Sequence, residues 1–384
     1  MSLCNLNCTY CYMYNAGDDS YRRQPKRMDD FVRDALLQRV KAHGTNYGIT
    51  TFDFIFHGGE PLLAGKQFFE QFVRQASVVL PPQVEPRFFM QTNGVLLDEA
   101  WCRHLGSLGI RLGISLDGPA PINDRYRLDH QGNSSFRAAE RGLRYALESD
   151  SLINQPGVLI VIDPTTDPIE VYDYFQSIGV DVLDFLLPDA TFDHPPLRIS
   201  PGDTSYADWL IQIFDRWFMV SKRPRIRMFD QLISLIIGRE VTSERWGTGN
   251  NEYIVVETNG GIEPSDMLKI CGPNFTKTNV NVHTHELIDA LGEELLSLHR
   301  NSHQKLSPVC QKCPIVAVCG GGFLSHRYSQ QSGFNNPSVY CWDLLKLITH
   351  IQNRVYTFLP DEICQEADLA PISYEEALLV LADK

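Results

Sequence analysis

The sequence lacks the features that mark several large classes of protein. No apolar run approaches the about 18 residues that a membrane-spanning helix requires, and a net charge of -13 leaves no excess of Lys and Arg for a nucleic-acid backbone. Only 10 of the 384 residues are cysteine, far below the density of small disulfide-stabilised secreted domains. We therefore expect a soluble, cytoplasmic protein with reduced thiols that binds neither a membrane nor a nucleic acid.

Three of the few cysteines lie close together near the first residue. Cys4, Cys8 and Cys11 are separated by three and two residues in the run CNLNCTYC. A four-iron cluster normally takes four cysteine sulfurs, so three would leave one iron open to another group. Structural zinc would require a fourth Cys or His nearby, and the next His is His43. The spacing therefore favours an iron-sulfur cluster with one open iron over a zinc site.

A second group of cysteines occurs in the last quarter of the chain. Its members are separated by two, five and twenty-one residues and are Cys310, Cys313, Cys319 and Cys341. Four thiolates would complete the ligation of a cluster, which could then transfer electrons but bind no further ligand. Tetrahedral zinc is compatible with the same pattern, and both interpretations remain open. We expect the three other cysteines to be buried apolar residues: Cys102, Cys271 and Cys364.

Helical stretches alternate with short apolar strands between about residue 29 and residue 240, which predicts βα units around a parallel sheet. The predicted strands cover residues 51–57, 87–92, 110–115, 157–162 and 181–187. The predicted helices cover residues 29–43, 65–79, 98–105, 134–147, 169–178, 206–220, 342–357 and 374–382. Active sites form at the carboxyl ends of parallel strands, so polar residues that follow these strands are candidates for a site.

The first such strand end carries the sequence FHGGEP. Gly58 and Gly59 have no side chain to prevent close approach of a ligand to the backbone. Their carbonyl groups and the carboxylate of Glu60, which precedes Pro61, could accept hydrogen bonds from an ammonium group. The alternative for this segment is an ordinary turn.

Further polar residues follow the other predicted strands. Arg127 lies twelve residues after Ser115, and its planar guanidinium suits a carboxylate. Alternatively, Arg127 forms a surface ion pair with Asp124 or Asp129. The remaining candidates at these strand ends are Gln91, Asn93, Ser115, Asp117 and Ile162.

The three-cysteine loop, with Tyr10 before its last cysteine, resembles that of the radical S-adenosylmethionine (SAM) enzymes. The strand end at GGEP likewise resembles the motif that binds the methionine amino group in this family. The resemblance implies an α/β fold, a partial (β/α)6 TIM-type barrel, and a 4Fe-4S cluster whose open iron binds SAM. It implies that Ser115 and Arg127 hold the SAM carboxylate, with the ribose as the alternative partner of Ser115. Asp117 is then a candidate for the floor of the substrate cavity, and Ile162 for a position beside the adenine.

The second cysteine group, with GGGF after its third member, resembles the SPASM extension of radical maturases. The resemblance implies one auxiliary 4Fe-4S cluster with four cysteine ligands. It also implies that a second auxiliary cluster is absent, because Phe323 and Ser265 occupy positions where that cluster requires cysteines. Asp266, in GGIEPSDMLK, aligns with the general base of sulfatase-maturing relatives. Its alternative role is that of a loop Asp capping a turn.

The whole chain resembles the FxsB-like peptide maturases, which form cyclophanes, through five phrases in the same order: CNLNCTYCYMYNAGDD, FIFHGGEPLLAGKQFF, ETNGGIEPSDMLK, CGGGFLSHRY and GFNNPSVYC. This resemblance implies a ribosomal precursor peptide as substrate and an electron donor such as flavodoxin or ferredoxin. The implied product has a carbon-carbon crosslink between an aromatic ring and a β-carbon. The alternatives are thioether formation, oxidation of one side chain as in sulfatase maturases, or a non-catalytic iron-sulfur or zinc protein that binds peptides.

We predict a barrel over residues 1–240, a SPASM-type domain over 241–345 and a helical tail over 346–384. Only three residues precede Cys4. We therefore expect the first barrel strand of the family to be missing or trimmed, with no separate peptide-recognition domain ahead of the loop.

Overall fold

The computed structural model describes residues 1–198, 200, 202–366 and 369–382, without the side chains of residues 361, 364 and 382. The prediction for Cys364 therefore lies outside the described residues. Cys102 and Cys271 are buried, as predicted.

Six strands form one sheet in which their spatial order is their order in the chain. The strands are β1 (Thr51–Phe56), β2 (Glu85–Thr92), β3 (Ile110–Ser115), β4 (Gly157–Val161), β5 (Val182–Leu186) and β6 (Arg225–Ile226). Strands β1 to β4 pair in parallel, with Phe56 opposite Met90 and Thr92 opposite Ile114. The predicted α/β fold with a parallel, partial-barrel sheet is confirmed, and the five predicted strands agree with the structure to within two residues. Strand β6 was not predicted because two residues are too short to show a pattern. A separate hairpin pairs β7 (Val255–Val256) with β8 (Ile262–Glu263).

Helices connect and follow these strands. The longer ones are α1 (Asp30–Tyr47), α2 (Lys66–Val79), α3 (Glu99–Ser107), α4 (Phe136–Leu147), α5 (Pro168–Ser177), α6 (Ser205–Phe218), α7 (Arg227–Ile236), α8 (Cys341–Tyr356) and α9 (Tyr374–Ala382). Short helices lie at Ala120–Asn123, Glu294–Arg300, Pro308–Gln311, Val316–Cys319 and Asp361–Glu366, and 3-10 turns at Ser20–Arg23, Pro61–Ala64, Asp266–Cys271, Leu287–Gly292 and Ser325–Arg327. In the part of the chain that the structure describes, no helix has the length and apolar character needed to cross a membrane.

Local sequence signals explain where these helices begin and end. The side chain of Asp29 accepts a hydrogen bond from the backbone N of Val32 and caps α1, which ends at Gly48 in the left-handed conformation. Asp98 caps α3 in the same way through the backbone N of Trp101. Each cap pairs a donor that the first helical turn would otherwise leave unsatisfied, so the strand ends are followed by helices at fixed positions.

Aromatic residues fill the core between β1, β2 and α2. The ring of Phe54 lies 5.4 Å from that of Phe72 and 5.6 Å from that of Phe88. Burial of each ring contributes about 1.5–3 kcal/mol. These contacts fix the first two strands, and hence the residues that follow them, on one support.

The chain divides into two compact units, each made of several segments. The first unit contains Met1–Val161, Tyr174–Asp184 and Tyr253–Ser297. The second unit contains Ile162–Asp173, Phe185–Glu252 and Leu298–Lys384. The three-cysteine loop belongs to the first unit and the four later cysteines to the second. The division into a barrel, a SPASM-type domain and a tail stays a prediction.

Candidate active site

The three-cysteine loop lies beside the carboxyl end of β2. Cys4, Cys8 and Cys11 are partly exposed. The backbone N of Leu6 lies 3.4 Å from Cys4 Sγ, and the side-chain Nδ2 of Asn93 lies 3.7 Å from the same sulfur. Donors directed at a sulfur stabilise the negative charge of a metal-bound thiolate. The surroundings of Cys4 therefore suit a cluster ligand.

The thiols of this loop are close enough to affect one another. Burial, with smaller contributions from the neighbouring thiols, raises the pKa of Cys4 to about 12 and that of Cys11 to about 11. Thiolates in this loop therefore need a positive partner, which iron would supply. No three His, Cys, Asp or Glu side chains among the described residues are arranged to hold a single metal ion. In a cluster each cysteine binds a different iron.

Glu60 is a structural anchor of the strand ends. Its buried carboxylate accepts hydrogen bonds from Leu62 N at 3.0 Å, Thr92 Oγ1 at 2.8 Å and Asn93 N at 2.8 Å. Burial raises the pKa of Glu60, and these three donors oppose that effect. The carboxylate therefore ties the end of β1 to the end of β2. Its contact with an ammonium group stays a prediction.

Gly58 and Gly59 allow the backbone at the start of the chain to pass close to the residues that follow β1. The backbone N of Gly59 donates to Met1 O at 2.8 Å, and a Cβ on Gly59 would lie 1.9 Å from Leu3 O. Gly58 has a φ of +111°, and a Cβ there would lie 2.5 Å from Met1 O. Contacts with Met1 and Leu3 therefore already require glycine at these two positions, and the approach of a ligand to them stays a prediction. Pro61, which follows, is buried at the start of a 3-10 turn.

Gln91 and Ser115 form a polar pair across β2 and β3. Gln91 Nε2 donates to Ser115 Oγ at 2.7 Å. Gly113 lies opposite Gln91 in the sheet, and a Cβ there would lie 2.2 Å from Gln91 Oε1. The missing side chain at Gly113 therefore lets Gln91 lie across the strand and reach Ser115.

Tyr10, Asp117 and Arg127 form a buried network. Tyr10 Oη donates to Asp117 Oδ2 at 2.6 Å, and Arg127 Nη1 donates to Tyr10 Oη at 2.8 Å. Asp117 Oδ1 accepts from Val161 N at 3.1 Å. Burial raises the pKa of Asp117, and the positive charge of Arg127 opposes the shift. Arg127 is thus buried and in contact with Tyr10. The alternative prediction, a surface ion pair, is wrong.

One hydrogen-bond donor of Arg127 is not used by the network. Its Nε is buried and has no hydrogen-bond partner among the described residues. An unpaired buried donor is costly, so a site that leaves one unpaired has the character of a binding site for an acceptor. A carboxylate would satisfy it. Ile162, the remaining candidate of this set, is buried in the second unit, and its place beside the adenine stays a prediction.

Asp266 is held by two other segments of the first unit. Its Oδ2 accepts from Tyr12 Oη at 3.2 Å and lies 3.0 Å from His57 Nδ1. Its Oδ1 accepts no hydrogen bond from any described residue. Burial opposes ionisation of Asp266, but His57 and, less strongly, Lys269 and Tyr12 hold its pKa below the usual range. The carboxylate is therefore anchored by one oxygen, ionised, and able to accept a proton at the other.

A buried ion-pair network supports the segment that carries Asp266. Lys269 Nζ lies 2.7 Å from Glu257 Oε1 and 2.8 Å from Glu263 Oε2. Thr276 and Lys277 also hydrogen-bond to Glu263. Buried charges are tolerated when they are paired in this way. The network joins β7 and β8 to the 3-10 turn at Asp266–Cys271.

The four later cysteines come together in the second unit. They line one cavity that opens to solvent and whose other walls are mostly apolar: Val309, Ile315, Val316, Leu345 and Leu381. Burial and the neighbouring thiols raise the pKa of Cys341 to about 12 and that of Cys319 well above its usual range. The predicted four-cysteine group is therefore brought together in space, in a cavity with few polar groups.

Comparison with known proteins shows what the chain is similar to. Residues 1–183, just under half of the chain, match the model of the radical SAM superfamily. The chain is 28% identical over 354 residues to a cysteine-type anaerobic sulfatase-maturating enzyme from Clostridium perfringens, an alignment that covers 88% of this chain and 90% of that protein. It is 25% identical over 333 residues to a serine-type anaerobic sulfatase-maturating enzyme from Klebsiella aerogenes, covering 84% and 77% of the two chains.

A solved structure shows the same fold. The structure of native anSMEcpe with bound AdoMet and Cp18Cys peptide superposes with a TM-score of 0.77 and 25% sequence identity, covering 93% of this chain and 95% of that one. Enzymes of the radical SAM superfamily use a 4Fe-4S cluster and SAM. The thiols of Cys4, Cys8 and Cys11 suit an iron-sulfur cluster, and Arg127 Nε, which has no partner among the described residues, suits a carboxylate.

The cavity of the later cysteines has a positive charge beside it. Arg327 is buried, and its guanidinium donates only to backbone carbonyls, including that of Ser302 at 2.8 Å. A Cβ on Gly321, which lines the cavity, would lie 3.6 Å from Arg327 Nη1. Among the described residues no carboxylate pairs with Arg327. Burial lowers its pKa, and Cys310 and Cys319 oppose that effect. The site therefore suits an anionic group, such as an iron-sulfur cluster with four thiolate ligands.

Two residues of the first-unit site were missed in the sequence. His57 directly precedes Gly58, and Tyr12 directly follows Cys11. Both contact Asp266, more than 200 residues later in the chain. His57 could have been found as a candidate, because it is the last residue of the predicted strand 51–57 and directly precedes the glycines. Nothing in the loop pattern itself distinguishes Tyr12.

Proposed function

We propose that this protein is a radical SAM peptide maturase that removes two hydrogens from its substrate, with Asp266 as the base. The observation that carries the proposal is the state of the Asp266 carboxylate. Oδ2 is held by Tyr12 and His57, the group is ionised, and Oδ1 accepts no hydrogen bond from the described residues. Such a carboxylate can accept the proton that an oxidised substrate releases.

Other residues of the chain are assigned to binding the cluster and SAM. We assign the cluster to Cys4, Cys8 and Cys11, and the binding of the methionine carboxylate to Arg127 Nε and Ser115. When bound, the cluster and SAM supply a deoxyadenosyl radical that removes one hydrogen atom from the substrate, and one electron then leaves to an iron-sulfur acceptor. One proton goes to Asp266 Oδ1. The hydrogen atom, the proton and the electron together account for the two hydrogens lost.

We assign the electron acceptor to an auxiliary 4Fe-4S cluster at the four later cysteines. The apolar cavity that these cysteines line and the unpaired charge of Arg327 support this assignment. A reduced flavodoxin or ferredoxin is the proposed electron donor to the first cluster. The substrate is proposed to be a ribosomal precursor peptide, which is consistent with a solved relative that contains a bound peptide.

Two finer reactions have separate support. A crosslink between an aromatic ring and a β-carbon is the reaction implied by the resemblance of five phrases to cyclophane-forming maturases, and Ser265 and Phe323 are consistent with the lack of a second auxiliary cluster that this resemblance implies. Oxidation of one Cys or Ser side chain is supported by the sulfatase-maturating relatives. Both reactions remove two hydrogens, so they share the role of Asp266.

The test uses anaerobically reconstituted full-length protein with SAM, dithionite and either the Cp18Cys peptide or a candidate precursor rich in aromatic residues. We expect 5′-deoxyadenosine and a peptide lighter by two hydrogens. A hydrazide probe then separates the two reactions, because a carbonyl reacts with it and a crosslink does not. For a Cys substrate, loss of two hydrogens gives a thioaldehyde, which water hydrolyses to the aldehyde with release of hydrogen sulfide, so the mass of that product also reflects the exchange of sulfur for oxygen.

The role of Asp266 is tested with Asp266→Asn against the exposed Asp150→Asn as control. Asp266→Asn should still form 5′-deoxyadenosine but should lose product about 100-fold. The control should behave as wild type. Wild-type protein that forms no 5′-deoxyadenosine would refute the reaction class, and full product from Asp266→Asn would refute the base.

A further inference from the structure

His57 is the first residue after β1, and its ring contacts the carboxylate assigned as the base. Its Nδ1 lies 3.0 Å from Asp266 Oδ2. An ionised carboxylate can only accept hydrogen bonds, so Nδ1 must carry a hydrogen and donate it. The contact therefore places a hydrogen on Nδ1, and it orients the carboxylate through the same oxygen that Tyr12 contacts.

The two members of this pair differ in their access to solvent. The side chain of His57 is 39% exposed and that of Asp266 is 16% exposed. The groups that face Asp266 are His57 from the end of β1, Tyr12 from the cysteine loop and Lys269 from its own turn. Lys269 is committed to Glu257 and Glu263, and Tyr12 is neutral. His57 is therefore the partner best placed to control both the charge and the direction of Asp266.

We propose that His57 is a positioning residue for the base: it keeps Asp266 ionised and directs Oδ1 toward the substrate. This inference rests on the proposed function, in which Asp266 accepts the substrate proton. His57 takes no part in removing the hydrogen atom. Its loss should therefore separate the two halves of the reaction, leaving 5′-deoxyadenosine formation intact while lowering product formation.

The chain offers a matched pair of variants. His57→Phe keeps the planar ring and removes the donor. His57→Asn removes the ring but places Nδ2, a donor, at the position of Nδ1. A positioning role predicts failure of the first variant and rescue by the second. A role of His57 in packing alone predicts the opposite order.

The first readout needs no substrate. Reconstituted full-length protein labelled with 13C-aspartate is titrated by infrared spectroscopy, and the band of Asp266 is the one absent from Asp266→Asn. We expect the Asp266 midpoint to move to higher pH in His57→Phe and to stay near wild type in His57→Asn. An unchanged midpoint in His57→Phe would overturn the inference.

The second readout is the ratio of product to 5′-deoxyadenosine with the Cp18Cys peptide. In His57→Phe this ratio should fall about tenfold, the acid limb of kcat should move to higher pH, and KM should stay unchanged; His57→Asn should restore most of the ratio. Equal ratios in wild type and His57→Phe would overturn the inference. Wild-type protein with the expected infrared titration but no oxidised product from any peptide would instead refute the proposed function.

Discussion

Each of the two units contains a buried cation, and the two cations are neutralised in different ways. In the first unit, Lys269 lies within 2.8 Å of carboxylate oxygens from Glu257 and Glu263. In the second unit, every hydrogen bond that Arg327 donates within the described part of the chain goes to a backbone carbonyl. A buried charge requires a counter-charge. The protein supplies it for Lys269, whereas for Arg327 it must come from the nearby thiolates and whatever they bind.

The cysteine groups of the two units also differ, in the polarity of the residues around them. The three-cysteine loop has polar neighbours, with Asn93 at Cys4 and the buried network of Tyr10, Asp117 and Arg127 in the same unit. The four later cysteines line a mostly apolar cavity. A site that binds and converts a polar cosubstrate needs hydrogen-bonding groups. A site that only transfers electrons needs its metal shielded from solvent.

The strongest test of this comparison exchanges each cysteine group for alanine. Replacement of Cys4, Cys8 and Cys11 should abolish 5′-deoxyadenosine formation completely. Replacement of the four later cysteines should leave it measurable while peptide product is lost. Wild type should contain about eight irons per chain and each variant about four, as measured by iron analysis and Mössbauer spectroscopy. About twelve irons in wild type, or cleavage of SAM by the first variant, would contradict the comparison.

The next largest effect concerns the stability of the first unit. Lys269→Met leaves two buried carboxylates without their shared cation, which should lower the free energy of unfolding by about 3–5 kcal/mol. Chemical denaturation of the iron-free protein measures this loss, with the exposed Lys41→Met as control. A loss below about 1 kcal/mol would show that the network is not needed to hold the Asp266 segment.

Arg327→Met should have opposite effects in the two states of the protein. Without iron, removal of an uncompensated buried charge should leave the melting temperature unchanged or raise it. With the cluster bound, loss of the positive charge should lower the midpoint potential of the auxiliary cluster by about 50–100 mV. Redox titration followed by EPR measures the potential, and the exposed Arg225→Met is the control. An equal loss of stability in both states would assign Arg327 a purely structural role.

The smallest effect is expected at Asn93. Asn93→Ala removes the donor near Cys4 Sγ and the 2.8 Å bond to Asn5, while its backbone N can still donate to Glu60. We expect a loss of a few-fold in the rate of SAM cleavage, because one weak donor to a sulfur is worth about 0.5–1.5 kcal/mol. Rapid-quench measurement of 5′-deoxyadenosine tests this. A complete loss would mean that Asn93 binds SAM itself.

The agreement between sequence and structure is closest where signals are local. The strands from Thr51 to Leu186 were predicted because their apolar runs and flanking turns lie within a few residues. The contacts of Arg127 were not predicted, because its partner Tyr10 lies 117 residues away. The contacts around Gly59 were not predicted for the same reason: the atoms that exclude a side chain there belong to Leu3 and Tyr14.

The sequence by itself determined the chemistry that is available: which thiols occur at cluster spacing, and which polar residues end the strands. Spacing along the chain suffices for this, since ligands in one loop need no distant partner. Only the tertiary structure decided which of these groups act on one another. It placed His57 and Tyr12 on Asp266, and it left Arg327 without a carboxylate. These relations depend on burial and on contacts between segments hundreds of residues apart, which no local pattern records.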